Sequence, residues 1–250
     1  MDAFFQLHRD LPREGPGDQV SLDRALTLAQ APSDSRMLDA GCGPGADIEG
    51  LLAWCPEGHV LAVDPHAPFV EQARVRHGGD PRVEPRVGDM RDAKGPFDLI
   101  WCAGALYFLG LEEGLKALGE ALAPEGVLAF SHPCWFVDAP SAAAVALWEG
   151  EGVNLLDRDG VCAAVSAAGF DVLGVFPLSD EAWEAYYGPM EARIEALAAT
   201  ATADLTAVLE EGRREAAAWR QVREETGYLQ VVARRTGRGD SESPTGSVST

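Results

Sequence analysis

Residues 37–47 read Met-Leu-Asp-Ala-Gly-Cys-Gly-Pro-Gly-Ala-Asp, and the residues best suited to chemistry are concentrated there. Glycines alternate at 41, 43 and 45, Pro44 stiffens the turn, and Asp39 stands two residues ahead of the first glycine. Glycine accepts positive φ at no steric cost and lets a ligand lie against bare backbone. A helix opening at Ala46-Asp47-Ile48 adds unpaired N–H donors. Two ligand classes fit these letters. Gly41, Gly43 and Ala46, with Asp64 about 20 residues on, satisfy the dinucleotide fingerprint G-x-G-x-x-G/A. Asp39 and the additional Gly45 point instead to a cationic ligand without phosphate. A glycine turn that binds nothing is the plain alternative.

Further carboxylates extend the pattern. Asp64 closes the apolar run Val60-Leu61-Ala62-Val63, and Asp89 follows residues 83–87 within Gly88-Asp89-Met90. Asp64 and Asp89 also read as helix caps, and Met90 as a core residue. His132 follows Val127-Leu128-Ala129-Phe130-Ser131 and precedes Pro133, so its backbone is extended and its ring is expected to point out over the sheet edge. With an ordinary pKa near 6.5, it reads as a general base, a hydrogen-bonding orienter or a packed structural histidine. The five cysteines, at 42, 55, 102, 134 and 162, are odd in number and show no C-x-x-C spacing, which argues against a disulfide framework or zinc knuckle. No His/Asp/Glu group has metal-ligand spacing, and no serine lies in a nucleophile elbow.

Strands and helices alternate around these residues. Strands are expected at the end of 36–38 and over 60–64, 83–87, 97–102, 127–132, 170–176 and 227–233. Helices are expected from Ser21 as cap, over about 47–54, from Pro65 and His66 to about Arg76, over 111–122 and 161–168, and through a long stretch from about 190 to 223, broken once or more. Residues 11–18 hold two prolines and two glycines and cannot be a helix interior. This is the pattern of an α/β, doubly wound parallel sheet. In such sheets ligands lie outside the carboxyl ends of the strands, where Asp39, Asp64, Asp89 and the 102–107 loop all fall.

At 250 residues the chain can bury one α/β core. Its net charge of −20 repels nucleic-acid backbones and leaves a small molecule as the default partner. The N-terminus lacks a signal peptide's apolar segment, and no run approaches the ~18 apolar residues of a membrane span, so a cytoplasmic location is expected. Oligomeric state is not legible.

These residues taken together resemble the class I S-adenosylmethionine-dependent methyltransferases. The likeness rests on Leu38-Asp39-Ala40-Gly41-Cys42-Gly43-Pro44-Gly45, Asp64, Gly88-Asp89-Met90, Phe97-Asp98-Leu99-Ile100 and Leu122-Ala123-Pro124-Glu125-Gly126, over roughly residues 35–135. Within the class the chain is similar to the group related to quinone-biosynthesis methyltransferases, with residues 11–17 and 183–193 as marks of a subgroup. His132 departs from it, standing where a carboxylate is expected after strand five.

The resemblance implies a Rossmann-like seven-stranded, mostly parallel sheet with the last strand antiparallel. It also implies a cofactor, S-adenosyl-L-methionine, leaving as S-adenosyl-L-homocysteine. Its site would comprise Asp39, Gly41, Cys42, Gly43, Gly45, Asp64, Pro65, Asp89, Met90, Cys102 and Ala103. Asp39 would attract the ammonium, Asp64 accept the ribose hydroxyls, Asp89 and Met90 hold the adenine, and Ala103 border the sulfonium. Residues 1–30 would be an N-terminal lid segment and helix, 31–178 the cofactor-binding core, 179–225 a helical substrate-side insertion, 226–236 the final core strand and 237–250 a disordered tail. The acceptor site is expected to be lined by Arg13, Tyr107, His132, Trp183, Tyr186, Tyr187 and Arg193, with His132 and Tyr107 as catalytic candidates. The competing readings are an NAD-type oxidoreductase on the same sheet and a non-catalytic cofactor-sensing binding protein.

Overall fold

The computed structural model describes residues 2–149 and 152–236, so the expected tail at 237–250 lies outside the described residues. All seven expected strands are present: β1 (Arg36–Ala40), β2 (His59–Asp64), β3 (Val83–Val87), β4 (Phe97–Cys102), β5 (Leu122–Trp135), β7 (Phe170–Pro177) and β8 (Thr226–Arg235), joined by a two-residue β6 (Leu156–Asp157). The sheet order is β3-β2-β1-β4-β5-β8-β7, with β6 against β5. β1 to β5 pair in parallel, and β8 inserts antiparallel between β5 and β7. The central strands are apolar on both faces because helices cover both.

One face carries α2 (Gln19–Ala29) and α3 (Ile48–Trp54); α5 (Leu111–Ala121) and α7 (Arg158–Ala167) pack on the other. α4 (Ala67–His77) follows β2. A Cβ at Gly50 would stand 2.4 Å from Leu22 Cδ2, so α2 and α3 need a glycine to approach so closely. Ser21 is not the cap of α2. Asp18 is, and Ser21 is its capping-box partner: the Ser21 N–H donates to Asp18 Oδ1 at 2.7 Å while the Asp18 N–H donates to Ser21 Oγ. β5 is longer than expected because Pro124-Glu125-Gly126 forms an irregularity inside the strand, with Glu125 at φ 61°, and does not precede it.

The long C-terminal helical stretch is two helices, α8 (Asp180–Ala198) and α9 (Ala203–Val222), with Thr202 capping the second. α1 (Ala3–His8) and α6 (Ala142–Trp148) had no periodic signal, being six and seven residues long. α1 joins the α8–α9 layer through Arg193, which donates to the carbonyls of Leu7 at 3.2 Å and Gln6 at 3.1 Å. Inside that layer the Trp183 and Trp219 rings stack at 4.9 Å, and Tyr187 donates from its hydroxyl to Glu215. Among the described residues no helix is long and apolar enough to cross a membrane.

Trp219 is 1% exposed at the centre of this stack. Trp219→Ala is expected to cost about 3–5 kcal/mol, the usual loss for emptying a large aromatic site. Urea unfolding that shows less than 1 kcal/mol would mean the layer does not pack as described.

Candidate active site

Parallel pairing of β1 with β2 sets Asp39 opposite Ala62 and Ala40 opposite Val63. The chain then turns through Gly41 (φ 76°), Gly43 (φ 50°) and Gly45 (φ 81°), where a side chain would be strained. A Cβ on Gly41 would also meet Ala105 Cβ at 2.3 Å. The turn's amides are occupied. Gly41 and Cys42 donate to the Val63 carbonyl at 2.8 and 3.0 Å, Gly43 to Asp64 Oδ2 at 3.1 Å, and Gly45 to the Cys42 carbonyl at 2.9 Å. A pyrophosphate cradle needs such N–H groups free; here they are spent within the fold.

Carboxylates face the turn instead. Burial raises Asp39 well above the usual carboxylate range, and repulsion from Asp47 and Asp64 adds to it. Asp64 Oδ1 accepts the backbone N–H of His66 at 2.8 Å and lies 3.0 Å from His66 Nδ1. Asp47, at the start of α3, accepts from Trp101 Nε1 at 2.9 Å and from Arg13 Nη2 at 3.3 Å. Asp89 caps the short 3-10 turn Met90–Asp92 and is held by Arg91, which keeps its carboxyl below the usual range. The capping geometry read from the sequence is therefore present at Asp89, and Met90 is buried. Burial raises the thiols of Cys42 and Cys102, so neither is a thiolate nucleophile. His77 Nε2 lies 2.8 Å from the Gly45 carbonyl, within hydrogen-bonding distance.

The N-terminal segment straps across this edge. Arg76 donates to the carbonyls of Leu11 and Pro12, and the Asp10 N–H donates to Gln72 on α4. The Gly17 N–H donates to the Ala182 carbonyl of α8. Arg13 uses its Nε on the Gly15 carbonyl at 2.7 Å and its Nη2 on Asp47, so its guanidinium is committed to the strap's own turn and does not face an acceptor.

The expected acceptor residues divide. Trp183, Tyr186 and Tyr187 are buried in one aromatic wall, but Tyr187 spends its hydroxyl on Glu215, and Arg193 holds α1. Tyr107 is half-buried and hydrogen-bonds Tyr228, whose ring lies 5.0 Å from that of Trp183. His132 is corrected. β5 continues past it to Trp135, and unbroken pairing with β8 makes side chains alternate, so His132 shares a face with Phe130 and Cys134 in the α5/α7 core. Ser131, its neighbour, takes the opposite face and accepts the Gly104 N–H at 2.7 Å. Both His132 ring nitrogens are buried without partners, and burial lowers its pKa to about 4. It is too weakly basic and wrongly turned to serve as the base.

Residues 37–126 match the family described as the methyltransferase domain. That match spans about a third of the chain. An uncharacterised 37.1 kDa protein of a Streptomyces fradiae transposon is 33% identical over 155 residues, covering 57% of this chain and 45% of its own length. The trans-aconitate 2-methyltransferase of an Acidovorax strain is 27% identical over 179 residues, covering 69% and 68%. Among solved structures, a Geobacter sulfurreducens S-adenosylmethionine-dependent methyltransferase, crystallised with S-adenosylhomocysteine, superimposes with a TM-score of 0.78 at 20% identity, over 92% of this chain and 96% of that one. That likeness establishes the fold.

Around this edge the structure adds residues that sequence reading missed. Tyr228, Ser131 and Gln230 share the face turned toward α2 and α8, and the buried Gln230 Nε2 has no partner. A polar Gln inside Tyr-Leu-Gln-Val-Val was the available signal. Glu14 packs against Gly43.

His132 has a sign-definite consequence. Its folded pKa of about 4 lies below the ordinary 6.5, so the unfolded chain binds the extra proton first. Stability is unaffected above pH 6.5 and falls as pH drops from 6.5 toward 4, by up to about 3 kcal/mol. His132→Leu is expected to remove that loss, so its stability relative to wild type should grow steadily between pH 7 and 4.5 in urea titrations. A difference that stays flat across that range contradicts the assignment.

Proposed function

We propose that the chain is an S-adenosylmethionine-dependent methyltransferase that moves a methyl group to a small-molecule acceptor by direct displacement. One observation carries the reading: the glycine turn has its amides occupied and buried carboxylates around it, an arrangement suited to a cation and poor for a pyrophosphate. The same observation weighs against the NAD-type alternative. The match of residues 37–126 and the two methyltransferase likenesses agree with it.

The bound sulfonium supplies an already activated methyl group. The chain's task is then to hold, align and exclude water. Asp39 is a buried carboxyl under the turn whose ionised form an arriving cation would favour, and the Gly41–Gly45 backbone offers a surface without side chains. Asp64 retains acceptor capacity beyond its present bonds, since an ionised carboxylate takes about four donors. Asp89, Met90 and Pro65 are assigned to the adenosine end, and Cys102 and Ala103 to the end of β4 beside the reacting centre. The acceptor is assigned to the side of the sheet edge bordered by Tyr107, Tyr228, Trp183 and the Ser131–Gln230 pair. The strap and the α8–α9 layer serve as its lid. Alignment of this kind is worth ~7–11 kcal/mol of barrier.

Calorimetry tests the reading. The protein is expected to bind S-adenosylhomocysteine, and Asp64→Ala to weaken that by about 1–3 kcal/mol, the cost of donors left unpaired. Binding of NAD with none of S-adenosylhomocysteine overturns the proposal.

A further inference from the structure

Glu14 stands where the strap, the glycine turn and α8 meet. Its Cγ and Cβ lie 3.5 and 3.7 Å from where a Cβ on Gly43 would be, and it is close enough to Asp64 and Tyr186 for each pair to interact electrostatically. One oxygen is satisfied: Oε2 lies 2.5 Å from His8 Nδ1. The other, Oε1, is buried and has no hydrogen-bond partner among the described residues. An unpaired buried acceptor costs about 1–3 kcal/mol, and the strap is anchored on both sides of it, by Arg76 at Leu11 and Pro12 and by Gly17 at Ala182. The chain therefore holds an unmet acceptor rigidly against the most permissive backbone of the site.

We propose that Glu14 is a cofactor-binding residue, delivered by the N-terminal strap, whose Oε1 accepts a hydrogen bond from the cofactor's ammonium or from one of its ribose hydroxyls. This rests on the function proposed above. Burial holds the Glu14 carboxyl above the ordinary range against the opposing pull of His8, and Asp64 raises it further, so a donor arriving at Oε1 relieves a cost already present in the fold. His8, stacked on Phe4 with ring centroids 4.0 Å apart, positions the carboxylate. A Cβ at Gly43 would make ordinary contact with Glu14, so it is the positive φ of the turn that calls for glycine there.

Calorimetry on wild type, Glu14→Ala and the isosteric Glu14→Gln uses two probes, S-adenosylhomocysteine and 5′-methylthioadenosine, which keeps the ribose hydroxyls and lacks the ammonium. Glu14→Ala is expected to weaken S-adenosylhomocysteine at least ten-fold. If the donor is the ammonium, Glu14→Gln loses about as much and methylthioadenosine is unaffected by either change. If it is a hydroxyl, methylthioadenosine weakens in parallel in Glu14→Ala, and Glu14→Gln retains most of the affinity. Wild-type binding of S-adenosylhomocysteine with both variants within two-fold of it overturns the role of Glu14 while leaving the function standing. Absence of wild-type binding to either probe overturns both.

Discussion

The carbonyl of Val63 accepts two hydrogen bonds, from Gly41 and Cys42, and the geometry of the site depends on that junction. It ties the glycine turn to the end of β2 instead of leaving it to project. With the turn fixed there, the Gly43 N–H comes within reach of Asp64, the residue after Val63, and Asp39 is left beneath, opposite Ala62. Positive φ at three glycines is the backbone cost of a loop folded so tightly against its neighbouring strand. A turn stitched down in this way spends its amides within the fold.

Gathering carboxylates is unfavourable in the absence of a cation, and the chain limits that cost by selective pairing. Asp47 is neutralised by Arg13 and Trp101, and Asp64 takes the Gly43 and His66 donors. Asp39 is raised well above its usual range by burial and by repulsion from Asp47 and Asp64, with only the pull of Arg13 against them. The cost of ionising a carboxylate is therefore greatest beneath the glycine turn, at Asp39, and smaller along the edge, where donors are present. A net charge of −20 points the same way at long range, drawing cations in and keeping polyanions out.

Most of this was legible because it is local. Apolar runs of strand length, glycine spacing and an acidic residue at each strand end are fixed by nearest-neighbour backbone physics, and β1 to β4, the turn, Asp39, Asp64 and Asp89 all follow from them. What was not legible depends on partners far away in sequence. Arg193 reaches Leu7, Tyr187 reaches Glu215, and Arg13 reaches Asp47; each side chain looked available for a substrate and is spent inside the protein. His132 failed for a subtler reason. Ending β5 at residue 132 made its side chain look free to project, whereas three more strand residues fix its side by alternation.

That correction changes where specificity should be sought. Ser131 and Gln230 face each other across β5 and β8 on the side toward α2 and α8, and the Gly104 N–H already claims one lone pair of Ser131. Gln230 brings a buried amide whose Nε2 has no hydrogen-bond partner among the described residues, on the same face as Tyr228. Apolar packing would fill that volume more cheaply than a buried amide, whose desolvation is uncompensated. On the function proposed above, an acceptor oxygen or nitrogen would meet the polar pair, whereas His132, one residue along, faces the opposite core.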